Sequence, residues 1–262
     1  MKYALVTGAS SGIGARFAHH LAAEGHNIII VSNQLEASEQ VAAQIKQQYN
    51  VDVRWLIVDL SEKDAAQNVY NQATEIGEVD ILISNAGILH FGKLLNTTTQ
   101  YIDLIVNLHC ITTTKLSLLF GHYMAERGCG KILIVSSMTA WTPFPTMSLY
   151  GSTKVYLKSF AQSLWYELKG CGVSVTTLFP GAVDTPLYNL SSGKRKLFRA
   201  LGIMLSADRV ARKGLRAMKH GCRVAIPGLF TKLVVAICYI FPAHLLLPIM
   251  KIPAIRRILD KI

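Results

Sequence analysis

Acidic residues nearly vanish from the last quarter of this 262-residue sequence. Residues 194–262 hold 2 Asp and Glu against 15 Lys and Arg, whereas residues 1–193 hold 14 against 12. The net charge of +11 therefore sits in the tail. A tail both basic and apolar points to an anionic surface as partner. Cysteine is sparse: Cys110, Cys129, Cys171, Cys222 and Cys238 form no C-x-x-C pair and no metal-ligand spacing. That argues against a disulfide framework and a metal site, and for reduced thiols in the cytoplasm. A leader is also lacking, since Lys2 to Thr7 already reads as a strand, and no targeting segment is expected. No basic stretch is interleaved with stacking aromatics in a known motif, so nucleic acid is not an expected partner.

What remains is apolar and rhythmic. Hydrophobic residues make up 51% of the chain, ample for one α/β domain of this length. Strand-like runs at 2–7, 27–31, 53–58, 79–84, 131–136 and 173–179, with a short seventh at 223–226, alternate with helical stretches at 12–24, 36–48, 62–76, 98–127 and 149–169. Single helices between short apolar strands predict right-handed βαβ units and a doubly wound parallel sheet, the Rossmann architecture. The reading is one catalytic domain over 1–227 and a basic hydrophobic helical extension over 228–262.

Three features carry chemistry. Thr7-Gly-Ala-Ser-Ser-Gly-Ile-Gly14 follows a strand and opens a helix. Glycines there let backbone N–H groups approach a pyrophosphate at a helix N-terminus. Tyr150 and Lys154 stand at i and i+4, on one helix face. An ammonium beside a phenol favours the phenolate, which suits proton exchange with a carbonyl or alcohol near neutral pH. Ser137 lies thirteen residues before that tyrosine. A nucleotide turn with a tunable phenol suggests hydride transfer.

These motifs, with Asn85-Ala-Gly87, Asn107 and Pro180-Gly-x-x-x-Thr185, resemble the short-chain dehydrogenase/reductase family from Met1 to about Pro227. The basic tail and the segment from Pro143 to Glu167 are similar to a branch with long-chain 3-oxoacyl, 17-keto steroid and ketosphinganine reductases. The resemblance implies Tyr150 as general acid/base and Lys154 as its partner on the nicotinamide ribose. It also implies Ser137 on the substrate oxygen and Asn107 holding a relay water. Ser136 competes with Ser137, and the spacing to Tyr150 favours Ser137.

The implied cofactor contacts are Gly8, Ser10, Ser11, Gly12, Ile13 and Gly14, then Ser32 and Asn33, Asp59 and Leu60, and Asn85, Ala86 and Gly87. Pro180, Gly181, Val183 and Thr185 join them, as do Tyr150 and Lys154. Asp59 is alternatively a helix cap before Ser61, and Asn85-Ala-Gly a plain turn. The end of the second strand, Ser32-Asn33-Gln34, lacks the acid that binds a ribose 2′-hydroxyl in NAD enzymes. It also lacks the arginine often found in NADP relatives. Two neutral donors and no repelling charge favour NADP(H) over NAD(H).

Leu89, Met138, Trp141, Phe144, Met147 and Tyr188 are the expected substrate-facing residues. An apolar set without a carboxylate-binding arginine predicts a lipid-like substrate. The family carries its substrate loop and lid at about 186–222. The uncharged run 233–250 is 18 residues, broken by Pro242 and Pro248. It reads as interfacial helices rather than a span, with peripheral contact at the inner face of a membrane. Lys194, Arg195, Lys196, Arg199, Arg256, Arg257 and Lys261 are placed to meet headgroups. A lid or subunit interface is the alternative. Relatives of this kind form homodimers or homotetramers through the helices near 98–127 and 149–169.

Overall fold

The computed structural model describes residues 1–89, 91–141, 144, 146–185, 193, 196, 198–199 and 202–240. Its order is β1 Lys2–Thr7, α1 Gly12–Ala23, β2 Asn27–Ser32, α2 Leu35–Gln48, β3 Val53–Ile57, α3 Ala65–Ile76 and β4 Glu78–Ser84. There follow α4 Thr99–Val106, a π-helical turn Asn107–Ile111, α5 Thr112–Glu126, β5 Gly130–Val135, α6 Ser148–Leu168 and β6 Val173–Leu178. After β6 come β7 Ala182–Asp184, β8 Met204–Ser206, α7 Ala207–Lys219, β9 Val224–Ala225 and α8 Leu229–Ile240.

Seven strands form one parallel sheet in the order β3-β2-β1-β4-β5-β6-β9. Their sequences are near-continuous apolar runs because both faces are covered. Alternate residues divide between two cores. Ala4, Val6, Ile28, Ile30, Ile83 and Leu133 pack toward α1, α2 and α7 with Phe17, Leu21 and Leu215. Leu5, Ile29, Leu82, Ile132 and Val175 pack toward α3, α5 and α6 with Val69, Phe120 and Leu157. The chain reverses direction across the sheet between β1 and β4, so their carboxyl ends open a crevice.

Two expectations change. The long helix expected over 98–127 is present as one run, Thr99–Glu126, but a π turn interrupts it and divides it into α4 and α5. Within the stretch assigned to substrate loop and lid, residues 207–219 instead form a core crossover helix, α7. It packs on α1, with His20 Nε2 2.8 Å from Asp208 Oδ1 and a Lys219–Glu24 ion pair. The three-residue pair β7–β8 is too short for hydrophobic alternation to reveal. Tyr188, Lys194, Arg195, Arg256, Arg257 and Lys261 lie outside the described residues.

Candidate active site

Thr7 ends β1 and turns its hydroxyl to the end of β4. Its Oγ1 donates to the Ile83 carbonyl at 3.3 Å and accepts the amides of Asn85 and Ala86 at 2.9 and 3.0 Å. Asn85 Nδ2 donates back to the Thr7 carbonyl at 3.0 Å. This stitching holds the β1 turn against the Asn85-Ala-Gly segment. Gly8 adopts φ +64°, and a Cβ there would lie 2.8 Å from Ala86 Cα. A Cβ at Gly14 would lie 2.1 Å from the Gly8 carbonyl oxygen. Gly14 thus brings α1 close behind the turn instead of facing a ligand.

The crevice is a cleft of about 510 Å³. Gly8, Ser10, Ser11, Gly12 and Ile13 line it from the turn, and Ser32, Asn33 and Gln34 from the end of β2. Asp59 and Leu60 face it after β3, Asn85, Ala86, Gly87 and Ile88 after β4, and Ser136 and Ser137 after β5. Tyr150, Lys154, Pro180, Gly181, Val183 and Thr185 complete it. Every residue expected at a cofactor, Gly14 excepted, therefore surrounds one cleft. Its size suits an extended ligand, and a pyrophosphate would meet the side-chain-free turn at the start of α1.

Asp59 does not cap a helix, because α3 begins at Ala65 with Asp64 before it; it braces the turn that follows β3. It lines the cleft, and its Oδ1 accepts the Ser61 amide at 2.9 Å and the Ser61 hydroxyl at 2.7 Å. Those bonds, with a further one from Asn33, hold its carboxyl below the usual range. At the end of β2, Ser32 Oγ donates to Ser10 Oγ at 2.9 Å and accepts the Gln34 amide at 3.1 Å. Among the described lining residues the charged side chains are Asp59 and Lys154.

The residues expected to be catalytic come from three places: Tyr150 and Lys154 from α6, Ser137 from the segment after β5, and Asn107 from the π turn. Lys154, on α6, is buried; its Nζ donates to the Val135 carbonyl at 3.3 Å and lies 5.5 Å from the centre of the Tyr150 ring. Burial draws its pKa down to about 8. Ser136 Oγ donates to the Lys154 carbonyl at 2.8 Å, which commits that hydroxyl to the backbone. Ser137 Oγ accepts the Thr139 amide at 3.2 Å as the cap of a short 3₁₀ turn. Accepting that bond leaves the hydroxyl hydrogen to serve as a donor.

Asn107 begins the π turn, where its carbonyl accepts the Thr112 amide, and it does not line the cleft. The polar side chain of that turn that meets α6 is His109, which is fully buried. A solitary histidine in an apolar helix gave no periodic signal. Ile88, Leu108 and Gln34 also line the cleft without having been expected there.

Leu89, Met138, Trp141, Phe144 and Met147, the proposed substrate residues within the described structure, lie on the segments that follow Ile88 and Ser137 and do not line the cleft. Met138 is beside Gly181, its sulfur 3.4 Å from where a Cβ would stand. Met147 is buried, while Leu89 and Phe144 are half-buried. Trp141 is drawn into packing: Lys158 Nζ sits 3.5 Å from the centre of its indole and Phe179 5.4 Å away. The two rims are joined where the Gly92 amide donates to the Thr146 carbonyl at 2.8 Å. Thr146 holds φ 63°, a left-handed conformation unusual for a β-branched residue.

A family model described as short chain dehydrogenase matches residues 2–195. A very-long-chain 3-oxoacyl-CoA reductase of Anas platyrhynchos is 28% identical over 224 residues, covering 84% of this chain and 71% of the relative. An uncharacterized oxidoreductase of Staphylococcus epidermidis is 30% identical over 204 residues, covering 77% of this chain and 87% of that one. The chain spans 61% of the corresponding Mus musculus reductase. Among solved structures, a short-chain dehydrogenase from Sphingobium yanoikuyae in complex with NADPH superposes with a TM-score of 0.79 at 27% identity, covering 90% of this chain and 93% of that one.

Proposed function

The chain belongs to the short-chain dehydrogenase family and is an oxidoreductase, and on that footing we propose that it is an NADPH-dependent reductase of a lipid-like ketone. The observation that carries the reading is that Ser137, Tyr150 and Lys154 line the same cleft as the glycine turn, with Lys154 Nζ 5.5 Å from the centre of the Tyr150 ring. A bound reduced nicotinamide supplies the hydride. Ser137 donates a hydrogen bond to the ketone oxygen. Tyr150 gives that oxygen its proton. The Lys154 ammonium favours negative charge on the phenol as the proton leaves, in a site where burial strengthens the interaction. By the family pattern Asn107, which does not itself line the cleft, would hold a water that links Lys154 to solvent.

Three things support the finer statement. The end of β2 offers Ser32, Asn33 and Gln34, with Ser10 of the glycine turn beside Ser32, and carries no acid of its own. The Sphingobium relative carries NADPH. The Anas relative is named for a long-chain 3-oxoacyl substrate. One observation favours a second reading, an NAD-dependent hydroxysteroid or secondary-alcohol dehydrogenase: no cation among the described lining residues faces Ser32 to meet a 2′-phosphate.

The decisive experiment follows oxidation of NADPH and of NADH with 3-oxoacyl thioesters, 3-ketosphinganine and ketosteroids, and reduction of NADP and of NAD with hydroxysteroids and secondary alcohols. NADPH oxidation by a long-chain member supports the proposal. Activity confined to NAD with secondary alcohols overturns it in favour of the second reading.

Peripheral membrane contact belongs to the same proposal. Helix α8 exposes Leu229, Leu233, Tyr239 and Ile240, beside Lys232. Sedimentation with anionic against neutral vesicles tests it, and equal partition would sink it. Exposed Leu118 on α5 and Tyr156 and Tyr166 on α6 support pairing of copies through those helices, to be read by the mass in solution.

A further inference from the structure

His109 is buried in the π turn, away from solvent, and has no part in the proton transfer above. Its ring nevertheless makes two directed bonds. Nε2 accepts the backbone N–H of Ile88 at 3.0 Å. The other nitrogen, Nδ1, lies 2.9 Å from Thr153 Oγ1. Thr153 Oγ1 in turn donates to the Tyr150 carbonyl at 2.8 Å. The direction of every bond follows. A nitrogen that accepts an amide cannot carry hydrogen, so Nδ1 holds the proton and donates to Thr153. Thr153 is then used once as acceptor and once as donor. Burial, with a smaller push from Lys154, keeps the imidazole well below the usual histidine range, which agrees with this neutral tautomer.

The geometry has a second support. A Cβ at Gly87 would lie 2.9 Å from His109 Nε2, so the absence of a side chain there admits the ring. The ring also meets Tyr150 edge-on, with centroids 5.8 Å apart.

We infer that His109 is a positioning residue, tying the cleft wall at Ile88 to the turn of α6 that carries Tyr150 through the relay Ile88 N–H, His109, Thr153, Tyr150 carbonyl. The inference rests on Tyr150 being the proton donor of the proposed reaction. The wall that faces the ligand and the helix that delivers the proton are held at one spacing, independently of whatever occupies the cleft.

The test uses the full chain and five variants: His109→Phe, His109→Gln, Thr153→Val, the double variant His109→Phe with Thr153→Val, and Tyr150→Phe. Folding is checked by circular dichroism. Two quantities are read, the exchange rate of the Ile88 amide and the separate kcat and KM for NADPH oxidation. His109→Phe should speed Ile88 exchange at least about tenfold, as expected when a buried tether opens locally. It should lower kcat by roughly 10- to 100-fold with little change in KM, since a displacement of about 1 Å in a reacting group can cost that much. His109→Gln, which keeps an acceptor for Ile88, should recover most of both. Thr153→Val combined with His109→Phe should lose no more than the worse single variant. A folded His109→Phe with unchanged exchange and kcat overturns the inference, and so does multiplication of the two losses. Full activity in Tyr150→Phe would bring down the functional reading instead, and the tether would then stand or fall on the exchange rate of Ile88 alone.

Discussion

Lys154 holds its ammonium 5.5 Å from the centre of the Tyr150 ring, one helical turn away, with the Val135 carbonyl as hydrogen-bond partner. The helix fixes the pair and the sheet fixes the lysine. The same burial that makes the cation effective beside a phenol makes it costly to the fold, because an ion removed from water loses its hydration. With a pKa drawn down to about 8, Lys154 stands near its own titration point.

Lys154→Met should therefore abolish turnover while stabilising the ligand-free protein near neutral pH by about 1–4 kcal/mol, the usual gain when a buried charge gives way to an apolar side chain. The gain should shrink as pH rises from about 8 toward 10.5. In that window the unfolded chain keeps a proton that the folded chain has released, so the wild type gains stability with rising pH. Thermal unfolding of both proteins across pH checks it. A variant less stable than wild type at neutral pH contradicts it.

Tyr150→Phe should lower kcat by about 100-fold or more, the contribution of one positioned proton donor. NADPH affinity, read by fluorescence titration, should stay within a few-fold. Loss of binding together with rate would move the tyrosine's role from proton transfer to the cofactor.

Ser32→Asp places a carboxylate where Ser32 Oγ now bonds Ser10 and the Gln34 amide. It should lower kcat/KM for NADPH at least about tenfold relative to NADH, since a like charge beside a 2′-phosphate repels it. Unchanged preference would mean that this position does not select the cofactor.

Two glycines should behave in opposite ways. Gly14→Ala drives a methyl into the Gly8 carbonyl oxygen. It should cost about 1–3 kcal/mol, as overpacked sites do, and weaken cofactor binding. Gly151→Ala, on α6 with nothing within 4 Å of its Cβ position, should gain about 0.5–1 kcal/mol from helix propensity. Denaturant midpoints measure both.

The sheet was legible because its strands are apolar on both faces. The runs at 27–31 and 53–58 fall within a residue of β2 and β3. The glycine turn and the Tyr150–Lys154 spacing were legible because local geometry dictates residue type there. Helix α7 shows a different limit. Val210, Ala211, Gly214, Leu215 and Met218 recur at helical spacing, but nothing in that period says whether the helix covers the cleft or packs on α1. Trp141 reads as a pocket residue from its place after Ser137. Its actual partner is Lys158, whose ammonium lies 3.5 Å from the centre of the indole, a contact between side chains seventeen residues apart that no local pattern announces. His109 was hidden for a further reason: a wheel drawn through 98–127 assumes one unbroken helix.

The π turn at Asn107–Ile111 amounts to one residue added to that helix, a phase shift of about 100° for everything downstream. Upstream of it Ile105 is buried, and downstream Leu116, Phe120 and Met124 face the sheet. Deleting a single residue between 107 and 111 would restore a regular helix and keep its composition. It would also force a choice: either Phe120 keeps its seat in the core or the imidazole keeps its place between Ile88 and Thr153.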